Sequence, residues 1–128
     1  MLIDKKLLDS LTAQATESPR LRMHYDLRNS SNDQSQRMLN AMEMGTKLPI
    51  HRHTTTSETM IVIRGSLKEI FYDDKGNITE EFTLSATGPN YGLNIPINIW
   101  HSLEVLEPNT VIFEAKDGPY QPGETLEK

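Results

Sequence analysis

The segment from Gly45 to Gly65 most constrains how this chain can fold, because it places two histidines on alternate residues and a carboxylate shortly after them. In an extended strand, side chains two positions apart leave the same face, so His51 and His53 can direct both imidazoles to one point. Residues 54–57 are enough to turn the chain, and Glu58 then opens an apolar strand. The segment therefore predicts three metal ligands on adjacent strands.

A fourth candidate ligand, His101, follows a turn that contains Pro96 and stands at the start of another predicted strand. Together, His51, His53, Glu58 and His101 form a nitrogen and oxygen set that suits first-row divalent ions and leaves positions open for water or substrate. Zn, Mn, Fe, Ni and Cu all accept such ligands, so the set does not choose among them. We predict one divalent metal ion as cofactor.

The composition excludes several classes of protein. The 128 residues suffice for one domain with its own core. A net charge of −5, without a cluster of Lys and Arg, argues against nucleic acid as a partner. No apolar run could span a membrane, and charges interrupt the N-terminus where a signal peptide would be apolar. The absence of cysteine fits a cytoplasmic protein and excludes thiolate ligands.

Hydrophobic periodicity predicts one short helix followed by strands. Apolar residues at helical spacing follow Asp4, an N-cap candidate, and we place the helix at residues 4–16. Across residues 20–116 the period changes to two, which predicts roughly eight to ten short strands, one pair joined by a turn at 73–77. Residues 117–128 are expected to form a surface tail. The whole chain is thus predicted to be a single all-β domain, residues 1–128.

The first predicted strand, residues 20–28, carries Arg20, Arg22, His24 and Arg28 on one face. If that face meets solvent, these residues form an ordinary polar sheet surface. If it meets the mouth of a barrel, Arg22 can bind a carboxylate or phosphate and His24 can move a proton near neutral pH. We take Arg22 as a candidate substrate-binding residue and His24 as a candidate catalytic residue.

Three further side chains have two interpretations each. Arg37 either faces solvent or binds substrate, and Tyr120 either covers a pocket or anchors the C-terminal tail. Both are kept as candidate substrate-binding residues. Trp100 precedes His101, so strand alternation sends its ring to the opposite face, which favours packing over sugar stacking.

The spacing of the glycines, histidines and glutamate in residues 45–65 resembles the first sequence motif of the cupin family without a gap. Residues 96–101 resemble the second motif, with Asn98 where the family usually has glycine. Asparagine is the residue that best replaces glycine at positive φ. Val105 stands where the family has asparagine, so the second motif is partial.

A narrower resemblance covers nearly the whole chain and is to the WbuC family of small cupin-fold metalloproteins. The segments that carry it, besides the histidine motif, are Ser18–Arg22, Gln36–Arg37, Trp100–His101, Phe113–Glu114 and Lys116–Tyr120. That family is found with bacterial O-antigen and surface-polysaccharide genes. The resemblance implies an all-β double-stranded β-helix (a cupin jelly roll) with one short N-terminal helix, a divalent metal inside the barrel, and a homodimer.

We therefore expect a metal-binding protein that binds or converts a small polar molecule, such as a sugar or sugar derivative in surface-polysaccharide (O-antigen) metabolism. If it is an enzyme, a metal-dependent isomerase or epimerase is the leading class, by analogy with the family's genomic setting. Two alternatives remain open at this point. One is a non-catalytic, metal-dependent ligand-binding module, and the other is an Fe(II) dioxygenase-type cupin.

Overall fold

The structure is a computed structural model that describes residues 1–126, so the last two residues of the predicted tail lie outside it. One helix, α1 (Lys5–Glu17), precedes the strands. In chain order the strands are β1 (Arg22–Asp26), β2 (Ser35–Met42), β3 (His51–Arg52), β4 (Glu58–Arg64), β5 (Ser66–Tyr72), β6 (Ile78–Ser85), β7 (Gly92–Ile95), β8 (Trp100–Val105), β9 (Thr110–Asp117) and β10 (Glu124–Thr125). Over these residues, no helix has the length and apolar character needed to cross a membrane.

The strands form two five-stranded antiparallel sheets. Sheet I has the order β1-β2-β9-β4-β7, and sheet II has the order β10-β3-β8-β5-β6. Neighbours such as β4 and β9 are distant in sequence, so the sheets wind around a shared interior. The predicted all-β class with a single short helix is confirmed, as is the hairpin of β5 and β6, in which Tyr72 pairs with Ile78.

Helix α1 covers the outer face of sheet I. The Asp4 side chain accepts a hydrogen bond of 3.0 Å from the Leu7 backbone N–H, which confirms the predicted N-cap. The buried apolar side of the helix packs with residues of the sheet in one cluster, whose buried members are Leu8, Leu11, Ala15, Leu39, Ala41 and Val111. The helix ends one residue later than predicted, at Glu17.

The space between the sheets is apolar toward one end. Its buried residues, which we call the barrel core, are Met42, Met60, Val62, Leu67, Leu84, Ile95, Val105 and Ile112. The turn from β4 to β5 passes close to β9, because a Cβ atom on Gly65 would lie only 2.9 Å from the Thr110 Cα. Gly65 also has a φ of 83°, so both its conformation and its surroundings require glycine at the end of the first motif.

Strand register shows which way β1 faces. Arg22 pairs with Met42, and His24 pairs with Asn40. Directly paired residues of antiparallel strands share a face, and Met42 belongs to the barrel core, so Arg22 and His24 lie on the inner face of sheet I. β1 is shorter than the predicted strand, so Arg20 and Arg28 lie in the segments that flank it.

The C-terminal segment does more than extend over the surface. Its residues 119–125 are exposed, as expected of a tail. However, Glu124 pairs with Arg52 and Thr125 pairs with His51, so β10 adds a strand to the edge of sheet II beside β3. The segment therefore supports the short strand that carries the first histidine.

Candidate metal centre and adjoining groove

Three histidines meet between the sheets, at the end away from the barrel core. His51 pairs directly with His101 across β3 and β8, and their ring centroids are 4.2 Å apart. The ring centroid of His53 lies 5.4 Å from that of His51 and 6.1 Å from that of His101. One ring nitrogen from each histidine lies within 4.8 Å of the other two. Nitrogens bound to one tetrahedral zinc ion at about 2.1 Å lie about 3.4 Å apart, so the three rings could hold one ion after small side-chain rotations.

The turn before β8 holds the two motif segments together. Asn98 has a φ of 70°, as its place in the second motif predicts. Its backbone N–H donates a hydrogen bond of 2.8 Å to the His53 carbonyl oxygen. This bond fixes the position of His53, which follows the end of β3, relative to His101 at the start of β8.

Backbone carbonyl groups orient two of the imidazoles. The Nδ1 atom of His51 lies 3.0 Å from the Pro49 carbonyl oxygen, and the Nδ1 atom of His101 lies 3.0 Å from the Ile99 carbonyl oxygen. A carbonyl oxygen can only accept, so Nδ1 donates in both rings and a neutral ring keeps its lone pair on Nε2. Metal-binding histidines usually have such a contact on the nitrogen that does not bind the metal.

The surroundings keep two of the histidines uncharged. Burial, followed by the Lys116 charge, lowers the pKa of His53 to about 4. Burial and the neighbouring His51 lower the pKa of His101 to about 4. Both rings are therefore neutral at neutral pH, the form that can bind a metal ion.

Glu58 lies beside this histidine cluster rather than within it. The residue is 8% exposed, and its Oε2 is 3.8 Å from the His101 Nε2. Its Oε1 is 3.9 Å from the Lys116 Nζ, and that ammonium group also lies 3.3 Å from the His53 Nε2. Lys116 thus holds a positive charge between two of the predicted ligands. Lys116 is not among the residues selected from the sequence, although alternation along β9 could have placed it inward.

Two more carboxyl groups face the interior near this end. Glu69 is 1% exposed, and neither of its carboxyl oxygens has a hydrogen-bond partner among residues 1–126. Burial, with the nearby Glu58 and Glu114 charges, raises the pKa of Glu69 to about 9. Burial and Glu58 raise the pKa of Glu114 to about 8, opposed by Lys116 and by a hydrogen bond from Asn40. Both groups are therefore protonated acids at neutral pH.

A groove of about 610 Å³ runs along the inner face of β1 and β2. Arg22, His24 and Tyr120, three of the residues selected from the sequence, line it. Gln36 also lines a smaller cavity of about 70 Å³ next to His53 and Lys116. The groove therefore adjoins the end of the barrel that holds the histidines.

Arg37 lies elsewhere, because it alternates with Gln36 and so points from the opposite face of β2. Its guanidinium group donates to the Ser35 hydroxyl at 2.9 Å and to the Leu27 carbonyl oxygen at 3.2 Å. These contacts tie the connection between β1 and β2 to the sheet, and Arg37 does not line the groove.

Trp100 lies on the face of β8 opposite to His101, as alternation predicts. The Trp100 ring is covered by the Arg52 guanidinium, 4.2 Å from the ring centroid, and its N–H donates to Asp74 at 2.9 Å. Its neighbours on that face thus include a charged side chain, the hairpin turn and Tyr72, which pairs with it across β5 and β8.

Comparisons with known proteins give a family but no function. Residues 3–84 match the model of a family described as a domain of unknown function (DUF6016). The matched residues include both histidines of the first motif and Glu58. No curated protein matches the chain.

Solved structures share the fold. The capsular polysaccharide assembling protein CapF from Staphylococcus aureus matches 87% of this chain with 20% identity and a TM-score of 0.72, but the chain spans only 33% of CapF. The chain is similar to a cupin 2 domain-containing protein from Halorhodospira halophila, with 14% identity and a TM-score of 0.65. The match covers 83% of this chain and 70% of that protein. The chain is also similar to KdgF from Halomonas sp., with 16% identity and a TM-score of 0.61. The match covers 81% of this chain and 84% of KdgF. The cupin jelly roll is therefore confirmed, whereas the narrower WbuC resemblance stays a prediction.

Proposed function

Since the chain belongs to the DUF6016 family, whose description gives no function, we propose from the site itself that it is a metal-dependent cupin that binds or converts a small polar molecule. His51, His53 and His101 would hold one divalent ion, with Glu58 as the fourth ligand. The observation that carries the proposal is the convergence of three imidazole nitrogens within 4.8 Å of one another, next to a buried carboxylate. The donor set fits Zn, Mn, Fe, Ni or Cu.

A bound ion would polarise a carbonyl or hydroxyl oxygen of the substrate, or lower the pKa of a water molecule. The residues around it supply the proton and the positioning. Glu114 can hold a proton at neutral pH, because burial and Glu58 raise its pKa to about 8. His24, which lines the groove, is a second proton carrier on the ligand's side. Lys116 would balance the charge of Glu58 whenever no ion is bound.

We propose a sugar or sugar derivative as the small molecule, with a role in surface-polysaccharide (O-antigen) metabolism. The WbuC resemblance of the sequence supports this, and so does the similarity in fold to CapF, a capsular polysaccharide assembling protein. An isomerase or epimerase is the reaction class that we propose. The same resemblance supports a homodimer, and the composition supports a cytoplasmic location.

The decisive experiment is elemental analysis of the purified protein beside two variants. The chain has four histidines, so His24→Ala is a matched control for a His51→Ala, His53→Ala double variant. We expect about one divalent ion per chain in the wild type and in the control, and its loss from the double variant. Equal metal content in all three proteins would overturn the site. A thermal-shift screen of the metal-loaded protein against sugars and nucleotide sugars then tests the ligand class.

A further inference from the structure

We propose that the groove along β1 and β2 binds the phosphate or diphosphate group of the ligand, so that the molecule taken by this protein is a phosphorylated one, such as a sugar joined to a diphosphate. This inference deepens the proposed function by naming the chemical class of ligand. The binding step itself rests on the groove and not on the metal.

The charge of the groove supports an anionic ligand. Its lining includes three guanidinium groups, those of Arg20, Arg22 and Arg28, against a single carboxylate, that of Asp26. The net charge of the whole chain is −5, so this concentration of positive charge is local. Guanidinium groups bind phosphate oxygens through two parallel hydrogen bonds, which makes arginine the residue suited to phosphate recognition.

Arg28 is already committed to the protein. Its guanidinium donates to both carboxyl oxygens of Asp26, with the shortest contact at 2.7 Å. Hydrogen bonds from Arg28 lower the pKa of Asp26 to about 2, so this pair stays ionised. Asp26 therefore neutralises Arg28 and leaves Arg20 and Arg22 to a ligand.

The guanidinium group of Arg22 has a donor that no described residue satisfies. Its Nη1 atom is buried and has no hydrogen-bond partner in the described part of the chain. No carboxylate among residues 1–126 forms an ion pair with either Arg20 or Arg22. A buried donor without an acceptor costs about 1–3 kcal/mol, and native proteins rarely keep one unless something else satisfies it. A phosphate oxygen in the groove would supply the acceptor once the guanidinium group turns toward it.

The size and surroundings of the groove fit a small organic molecule. Its volume of about 610 Å³ lies in the range of about 300–1,000 Å³ found for small-molecule sites. Tyr120, which is 63% exposed, offers an aromatic ring on the wall. Asn40 lines the groove and hydrogen-bonds to Glu114, whose neighbour Glu58 lies beside His101. Gln36 lines both the groove and the cavity beside His53, so the end of the groove nearest the histidines is at Gln36.

The test is isothermal titration with inorganic pyrophosphate, uridine diphosphate and uncharged glucose as probes. We expect pyrophosphate and uridine diphosphate to bind the wild type and Arg22→Met to weaken both at least tenfold. The methionine replaces the aliphatic part of the side chain and removes a buried unsatisfied donor, so this variant should fold, which its melting curve checks. Lys75→Met, an equal loss of charge in the exposed β5–β6 turn, should leave both affinities unchanged.

The metal-site variant separates this inference from the proposed function. Pyrophosphate should still bind to the His51→Ala, His53→Ala variant, because the groove residues are intact. Loss of binding in that variant, together with full binding in Arg22→Met, would show that the anion binds the metal and would overturn the groove proposal alone. No binding to the wild type, or equal binding to Arg22→Met, would overturn it as well. Arg22-dependent binding to a protein without metal would support the groove and refute only the metal site.

Discussion

The two ends of the barrel interior are built from the same strands but differ in chemistry. In β4, Met60 and Val62 lie in the barrel core, whereas Glu58 lies beside the histidines. In β9, Ile112 lies in the core and Lys116 lies near His53. The apolar end stabilises the fold by removing hydrocarbon from water.

The other end has the opposite effect on stability. Burying an ionisable group is costly unless it is paired, and Glu69 has no partner for either carboxyl oxygen among residues 1–126. Strongly shifted pKa values in one cleft are typical of functional sites. The comparison teaches that the apolar end supplies the stability that offsets the cost of burying the polar groups at the other end. Four predictions test this division.

The largest effect is expected in the apolar end. Leu67 is fully buried in the barrel core, so Leu67→Ala should lower the free energy of unfolding by about 2–5 kcal/mol through lost burial and a cavity. Urea denaturation measures this loss, with the exposed Leu106→Ala as control. The folded variant should keep its metal. A loss of stability no larger than that of the control would contradict the view that the apolar end stabilises the fold.

The second prediction concerns the ion. A divalent metal that binds only the folded state should stabilise it by about 2.7 kcal/mol at a hundred times its Kd. A chelator should therefore lower the Tm of the wild type, as differential scanning calorimetry can measure. The His51→Ala, His53→Ala variant should not respond. A wild-type melting curve that the chelator leaves unchanged would speak against an ion coupled to folding.

The third prediction uses the pH dependence of Glu69. The folded state raises the pKa of Glu69 from 4.5 to about 9, so the folded protein binds more protons than the unfolded chain between those values. The stability contribution of Glu69 is thus fully present below pH 4.5 and is lost as the pH rises toward 9. Glu69→Gln cannot ionise, so it should match the wild type in acid and have the higher free energy of unfolding in alkali.

Denaturation with urea across this pH range tests the prediction for Glu69. The control is Glu80→Gln, which removes an exposed carboxylate from β6 and should leave the pH profile as it is. Should Glu69→Gln follow the wild-type profile at every pH, the carboxyl group would not be protonated in the folded state.

The smallest effect is expected at Lys116. Its ammonium group lies 3.3 Å from the His53 Nε2 and repels a divalent ion at the same point. Lys116→Met removes the repulsion and frees Glu58, so metal affinity should rise about tenfold, or about 1.4 kcal/mol. Competition with a chelating dye measures the change, with Lys75→Met as control. An affinity equal to or below that of the wild type would show that Lys116 helps to hold the site.

The sequence predicted the histidine cluster partly from local rules and the jelly roll from a family resemblance. Alternation placed His51 and His53 on one face, the turn that contains Pro96 placed His101 at the start of a strand, and the resemblance to the two cupin motifs brought the two segments together. Alternation does not say which face of a strand points inward, so the orientation of Arg22 had to be read from its pairing with Met42.

Other residues were missed or misplaced for a related reason. Glu69 lies on the same face as the fully buried Leu67, but an isolated glutamate in a strand is usually exposed, so sequence alone gave no reason to place it inside. Arg37 shares the face of β2 that carries Leu39 and Ala41, which pack against the helix. Alternation predicts that Arg37 shares a face with Leu39 and Ala41, but only the position of the helix shows that this face is the outer one.

The position of Trp100 makes it an intrinsic fluorescence probe of the nearby histidine cluster. The chain has a single tryptophan, and that residue directly precedes His101. Because its ring is held between Arg52 and Asp74, its emission should shift or be quenched when strand β8 adjusts to an ion on the other face. If the histidines bind an ion, its occupancy should therefore be measurable by intrinsic fluorescence, without an added dye or label.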